Sequence, residues 1–299
     1  MAKILITGGS GLVGSQLSHL LSTSGHQVGH LSRTKEPNGT YPTFVWDLSD
    51  KSIEEEAFEG VNHIIHLAGA GIADKKWTPE RKNVIIDSRV DSIKLLHHYV
   101  QKLNIELTSF ISASAIGYYG MDTGSEQLME ASDTGNDFLA YVVRLWETEA
   151  DTFQSMTKVA KVRVGVVLSA DGGAMKELSR PVRLLAGAPL GSGKQYMSWI
   201  HIDDLCRIFQ FVLEQELSGT YNATAPNPVT NEALTKSLAS ALKKPLILPN
   251  VPAFVMKLLL GEMSGMVLGG YYVRADKIQN EGFKFKYTNV DLAIKSLLS

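Results

Sequence analysis

One stretch limits the fold more than any other: Ile4 to Leu17, ILITGGSGLVGSQL. Three apolar residues, Ile4, Leu5 and Ile6, run into Thr7. Glycines follow at the spacing Gly8-x-x-Gly11-x-x-Gly14, with Gly9 beside them. Apolar positions then change to helical spacing at Leu12, Val13, Leu17, Leu20 and Leu21, so the stretch reads as strand, tight turn, helix. The turn needs backbone freedom that a side chain forbids. A pyrophosphate also needs bare backbone N–H groups at a helix N-terminus, where the dipole favours anions. A glycine-rich turn without a ligand is the weaker alternative, because further strand–helix units follow directly. The residues expected to hold a dinucleotide here are Thr7, Gly8, Gly9, Ser10, Gly11, Leu12, Val13 and Gly14.

Strand candidates recur with helices between them, which predicts an α/β protein with a Rossmann-like, doubly wound parallel sheet. The second to fourth strands are expected at Gln27 to Leu31, Thr43 to Trp46 and His63 to Leu67. A long helix is expected from Pro79 to Lys102, a fifth strand at Ser109 to Ser112, a helix from Asn136 to Met156 and a sixth strand at Lys161 to Val164. Gly172-Gly173 opens a segment rich in Gly and Pro, expected to be irregular as far as Gly193. A helix after His201-Ile202-Asp203-Asp204 and a strand at Gly219 to Ala223 complete the first unit. From Pro226 the pattern changes: a helix from Thr230 to Leu242, a short strand Leu246 to Leu248 between two prolines, then mostly helix. This predicts a nucleotide-binding domain over 1–225, with 171–198 contributing to the substrate side, and a small C-terminal α/β lobe over 226–299.

Bulk properties exclude several function classes. The 299 residues are 44% hydrophobic and 20% charged, enough for a full core. A net charge of −2 gives no basic surface for nucleic acid or anionic membrane. Cys206 is the only cysteine, which rules out an internal disulfide and a cysteine-based zinc site; no metal is expected. Met1-Ala2-Lys3 leads straight into the first strand, so no leader is expected and the cytoplasm is the simple location. No apolar run reaches about 18 residues, the length of a membrane span; Val251 to Leu268 comes nearest but carries Lys257 and Glu262. That stretch is open between a substrate lid, a dimer face and plain core. The expected partner is a small-molecule substrate, with the chain a monomer or homodimer.

The end of the second strand bears on which dinucleotide binds. An NAD site usually places Asp or Glu there to accept from the ribose hydroxyls. Here it reads His30-Leu31-Ser32-Arg33-Thr34, without a carboxylate. Arg33 can pair with a 2′-phosphate, and Ser32 and Thr34 can donate to it, which predicts NADP(H). A solvated surface arginine is the alternative. Asp47-Leu48, past the third strand, is placed to touch the adenine. Leu67 and the small run Ala68-Gly69-Ala70, past the fourth, would let the nicotinamide ribose lie close.

These residues resemble the extended branch of the short-chain dehydrogenase/reductase superfamily. The closer likeness is to its atypical NAD-dependent epimerase/dehydratase-like subgroup of nucleoside-diphosphate-sugar epimerase homologues. The stretches that carry it are ITGGSGLVG, HLAGAGIADKKWTPERK, DSRV, ISASAIGYYG, GVVLSADGGAM, PLGSGKQYMSWIHIDDL, YNATAPNPV, LLLGEM and GFKFKY, spread over the whole chain. The resemblance implies a Rossmann-like domain, a small C-terminal substrate lobe and NADP(H) binding. It implies an oxidoreductase or epimerase acting on a small carbonyl or nucleotide-sugar substrate.

Relatives of that type use a Ser or Thr with a Tyr-x-x-x-Lys pair, the lysine lowering the tyrosine pKa from about 10. Ser114 in SASAIGYYG matches the serine, but none of the ten tyrosines has a lysine four residues later. In NDFLAYVVRLWETEA, Tyr141 is followed at that distance by Leu145. Arg144 stays charged and cannot shuttle protons. Tyr118 and Tyr119 are the remaining proton-donor candidates, with aromatic packing as the alternative. Arg89 in DSRV lies on the long helix that flanks the cofactor in this fold and is expected to contact the cofactor, or else makes a surface salt bridge. Gln195, Trp199 and His201 match stretches that line the substrate pocket in relatives. Trp199 either stacks on a ring or fills the core, and His201 either touches substrate or caps the helix that follows. A non-catalytic NADP(H) sensor is the competing function, motivated by the missing Tyr-x-x-x-Lys pair.

Overall fold

The protein is described here from a computed structural model covering residues 1–36 and 38–298. The chain runs β1 (Lys3–Thr7), α1 (Leu12–Thr23), β2 (Gln27–Ser32), β3 (Thr43–Asp47), β4 (His63–His66), α2 (Pro79–Lys102), β5 (Ser109–Ala115) and α3 (Phe138–Asp151). It continues through β6 (Lys158–Val164), β7 (Val166–Ser169), α4 (Ala174–Arg183), β8 (Trp199–His201), α5 (Ile202–Glu214), β9 (Gly219–Ala223), α6 (Asn231–Ala241), α7 (Ala253–Leu260) and α8 (Val290–Leu298). The main sheet has the order β9-β6-β5-β4-β1-β2-β3, all parallel, with the two-residue strand Ser52–Ile53 antiparallel on the β3 edge.

The apolar strand runs explain this arrangement. Ile4, Leu5, Ile6, Ile64, Ile65, Phe110 and Ile111 are all buried, as a sheet covered on both faces requires. α1 and α5 pack together on one face, α2 and α3 on the other. The strand order reverses at β1, whose Thr7 pairs with Leu31 of β2 and His66 of β4. A crevice opens beyond the strand ends at such a reversal, and ligands of this fold class bind there.

A second, smaller core lies beside the first. Gly165 turns the chain off β6, and a Cβ there would sit 2.5 Å from the Ser198 carbonyl oxygen. The chain then forms β7, which pairs in parallel with β8. Leu168, Met175, Val182, Trp199, Leu234, Leu238, Val290 and Ile294 close this core, with α8 packed on α6.

Three expectations are corrected. The segment after Gly172-Gly173 is not irregular throughout, because α4 occupies Ala174–Arg183. Met175, Leu178 and Val182 give it a short apolar face, and Pro181 is tolerated in its last turn. Leu246 to Leu248 forms no strand, since the flanking prolines withhold ladder donors. α7 is apolar yet has no buried residue, which removes plain core as a reading for Ala253–Leu260. Among the described residues no helix is long and apolar enough to cross a membrane.

Candidate functional site

The glycine turn is built for close backbone approach. Gly8 has φ +71°, a region that favours glycine. A Cβ on Gly14 would lie 2.1 Å from the Gly8 carbonyl oxygen, and one on Gly9 would lie 2.4 Å from the His30 ring. Gly11 is the N-cap of α1, which has no side-chain cap and no acid in its first turn. The first N–H groups of α1 are therefore unclaimed by side chains, and the dipole there favours an anion. His30 supports the turn from β2. The Ser18 hydroxyl donates to the Gly14 carbonyl at 2.7 Å, so His30 Nε2–H donates to Ser18 Oγ at 2.8 Å. Burial holds His30 below the usual histidine range, consistent with a neutral ring.

Thr7 works differently from expectation. It is fully buried, and its Oγ1 accepts from the backbone N–H groups of Leu67 and Ala68 at 3.2 and 3.1 Å. Its proton is then left for His66 Nδ1 at 2.8 Å. His66 Nε2 meets Ser92 Oγ at 3.1 Å, and Ser92 donates to the Arg89 carbonyl at 2.8 Å. Thr7 thus anchors the Leu67 to Ala70 loop rather than facing a cofactor. Burial, aided by the Arg89 charge, pushes His66 down to about 3.

At the end of β2, Arg33 is exposed and has no ion pair among the described residues. Ser32 Oγ accepts from the Thr34 N–H at 3.5 Å. Asp47 is committed to its own turn, accepting from the N–H groups of Ser49 and Asp50 at 2.7 and 3.2 Å. Leu48 packs partly buried against the main core.

The expected proton-transfer residues are tied into a buried network. Ser114 on β5 lies in register with Arg163 on β6. Its hydroxyl donates to Glu147 Oε1 at 2.6 Å. Arg163 grips the same carboxylate two-point, Nε to Oε1 at 2.8 Å and Nη2 to Oε2 at 2.9 Å. Arg163 Nη1 donates to the Tyr119 hydroxyl at 3.0 Å and to the Glu130 carbonyl at 3.1 Å. Tyr119 in turn donates to Asn222 Oδ1 at 2.7 Å. Burial raises the Tyr119 pKa, the wrong direction for a proton shuttle near neutrality. Ser114 and Tyr119 are therefore engaged parts of this network in the present arrangement. Tyr118 is half-buried, with its ring 3.5 Å from the Arg163 Cζ. On α3, Leu139 and Val143 face the turn beyond β5: a Cβ on Gly117 would sit 3.4 Å from Leu139 and 3.9 Å from Val143. That four-residue spacing carries no tyrosine or lysine. Tyr141 lies outside, half-exposed under Arg144.

Arg89 is buried rather than at the surface, against the salt-bridge alternative. Its Nη1 donates to the carbonyls of Ala70 and Ile85 at 3.1 and 2.9 Å. Its guanidinium lies 5.0 Å from the Trp146 ring.

The three residues expected at the substrate are structural in this arrangement. Gln195 Nε2 donates to the carbonyls of Leu190 and Val267, tying two loops together. Trp199 is fully buried, with Nε1 donating to the Asn227 carbonyl at 3.1 Å, and so fills the core. His201 caps α5 by accepting from the Asp203 N–H at 3.0 Å and stacks on Tyr287 at 3.8 Å.

Glu147 and Arg163 were missed by sequence reasoning. Their signal was a charge set against apolar neighbours: Arg163 between Val162 and Val164, and Glu147 beside the buried stripe Leu139, Val143, Trp146 and Ala150. Among the described residues no cluster of His, Cys, Asp and Glu could hold a metal ion.

Known proteins match this arrangement over its full length. Epimerase family protein SAR0825 of Staphylococcus aureus (strain MRSA252) is 36% identical over 301 residues, covering all of both chains. Epimerase family protein YfhF of Bacillus subtilis (strain 168) is 32% identical over 300 residues, 99% of this chain and 98% of that one. The structure of human epimerase family protein SDR39U1 (isoform 2) with NADPH superposes with a TM-score of 0.88 at 28% identity, covering 99% of each chain. A nucleoside-diphosphate sugar epimerase from Corynebacterium glutamicum gives a TM-score of 0.79 at 34% identity, over 99% of this chain and 58% of that one. A family model for a domain of unknown function (DUF1731) matches residues 251–297. The model of the NAD dependent epimerase/dehydratase family matches residues 4–224, and the chain belongs to that family.

Proposed function

We propose that this protein binds NADP(H) across the C-terminal ends of β1, β2 and β4 and exchanges hydride with a small carbonyl or nucleotide-sugar substrate. The observation that carries the reading is the glycine turn, where a Cβ at Gly9 would strike the His30 ring and one at Gly14 the Gly8 carbonyl, so that only glycine lets the chain turn this tightly into the uncapped start of α1. The N–H groups at the start of α1 would take the pyrophosphate. Arg33, with Ser32 and Thr34, would take the 2′-phosphate. The loop Ala68-Gly69-Ala70, held by Thr7 and Ser88, would border the nicotinamide ribose. When bound, the dinucleotide supplies a hydride donor or acceptor. NADPH in the human relative's structure supports the same choice of cofactor.

Two titrations test this reading. NADPH is expected to bind more tightly than NADH, and Arg33→Ala to weaken NADPH roughly ten- to a hundredfold while leaving NADH almost unchanged. Equal NADPH affinity in Arg33→Ala would overturn the 2′-phosphate assignment. Transfer of deuterium from 4-deuterated NADPH to a sugar nucleotide or small carbonyl would establish turnover.

One observation favours a second reading, an NADP(H) sensor without turnover. The Ser114 hydroxyl is given to Glu147, and α3 presents Leu139 and Val143, not a tyrosine and a lysine, to the turn beyond β5. Deuterium transfer to any physiological substrate rules this reading out.

A further inference from the structure

Four Asp, Glu, Lys or Arg side chains are buried among the described residues: Arg89, Glu147, Arg163 and Asp204. Glu147 and Arg163 pair with each other, and Asp204 pairs with Arg207. Among the described residues Arg89 pairs with no carboxylate, although it is only 8% exposed. The charge that acts on it is another cation, Arg81. Burial, with that neighbour, lowers the Arg89 pKa to about 10, so the guanidinium stays charged at neutral pH. An isolated buried cation is costly unless something compensates it.

The unfilled part of Arg89 has a definite shape. Both Nη1 bonds go to carbonyls, those of Ala70 and Ile85. Nε is enclosed without a hydrogen-bond partner. Nε and Nη2 form the side-on edge of a guanidinium, the edge that accepts a carboxylate or phosphate two-point. Arg163 uses this same edge on Glu147 in this protein. Gly69 lies over the face of the Arg89 guanidinium, where a Cβ would come 3.0 Å from Cζ, 3.2 Å from Nη2 and 3.3 Å from Nε. Trp146, against the same guanidinium, also has an enclosed Nε1 without a partner.

We infer that the side-on edge of Arg89 is an oxyanion subsite, and that the substrate of this protein carries a carboxylate or phosphate group that Arg89 holds two-point. The inference rests on the NADP(H) reading only for which molecule brings the anion. The pyrophosphate and 2′-phosphate are assigned there to the start of α1 and to Arg33, leaving no cofactor anion for Arg89. Arg89 is thus a substrate-specificity residue in place of the cofactor contact expected from the sequence.

The test is calorimetric titration of the full-length protein with inorganic phosphate and with malonate at constant ionic strength, with and without saturating NADPH. Saturable binding of at least one anion is expected in both states. Arg89→Lys, which keeps the charge and loses the fork, is expected to weaken it at least tenfold. Gly69→Ala, which keeps Arg89 but sets a methyl group against its guanidinium face and so displaces it, is expected to do the same, so the test survives if one variant does not fold. Trp146→Phe should weaken binding less than either. No saturable binding, or unchanged binding in folded Arg89→Lys and Gly69→Ala, overturns the subsite. Loss of anion binding on saturation with NADPH overturns its assignment to substrate. Anion binding at Arg89 in a protein that takes no NADPH would support the subsite and sink the cofactor reading instead.

Discussion

Two buried arginines meet the same helix and end differently. Arg163 receives Glu147 from α3, and its Nη1 is shared between Tyr119 and the Glu130 carbonyl. Arg89 receives from α3 only the ring face of Trp146, the residue before Glu147. A buried ion pair holds only when its geometry is good and its remaining hydrogen-bonding groups are met. The Arg163 cluster meets that condition from within the chain, joining β5, β6, α3 and, through Asn222, β9. Arg89 meets it on one edge only. The difference separates a charge that fastens the fold from one left for a ligand. It also explains why Ser114, which looks like a catalytic serine in sequence, sits on the fastening side.

The comparison breaks first at Glu147. Glu147→Ala leaves Arg163 buried and unpaired, and should cost about 3–5 kcal/mol. Urea unfolding at neutral pH measures it, and a loss under about 1 kcal/mol would show that the pair does not hold the sheet edge to α3. Tyr119→Phe removes the donor to Asn222 and an acceptor for Arg163, with an expected loss of about 1–2 kcal/mol. Ser114→Ala removes one donor to Glu147 and should cost about 1 kcal/mol, with NADPH affinity unchanged. A large fall in deuterium transfer from Ser114→Ala, with stability unaltered, would put the serine back at the chemistry. Arg89→Met lies at the other end. It removes a cation without an acid partner along with two bonds to carbonyls, so stability should change by no more than about 1 kcal/mol.

What could be read from the sequence follows from how locally each feature is determined. The turn from Gly8 to Gly14 was legible because steric limits act directly on residue type. α2 was legible to the residue, Thr78 capping it and Pro79 opening it. α4 was hidden because glycines precede it and a proline sits inside it, although its packing surface is ordinary. β7 and β8 were hidden because each is short and finds its partner only in the folded chain. Ser114 was placed at the correct strand end, but its partner Glu147 lies 33 residues away and is reached only through packing. Trp199 and His201 were located but left between two roles, and tertiary contacts decided for core and cap. Arg89 was read onto the right helix. Its missing counter-ion is an absence, and no residue pattern displays that.

The smallest expected effect bears most directly on whether Arg89 is uncompensated. His66 is fully buried between Thr7 and Ser92, with Nδ1 already accepting from Thr7, so a second ring proton would face a donor. Burial is the larger cause of its fall to about 3, and the Arg89 charge is the second. An unfolded histidine titrates near about 6.5. Between about 6.5 and about 3 the unfolded chain therefore binds a proton at this residue that the folded chain does not, and stability falls as the pH falls through that window. Above about 6.5 the contribution is flat. His30, His63 and His201 are also held low by burial, so a bulk acid unfolding curve mixes four residues. The readout must be the His66 ring itself, followed by NMR through the acid range. In Arg89→Met its titration should move up from about 3, shortening the window from below, while the upper edge stays at the unfolded value. An unmoved His66 would mean that the Arg89 charge is already neutralised where it lies, and the contrast with Arg163 would then fail at its foundation.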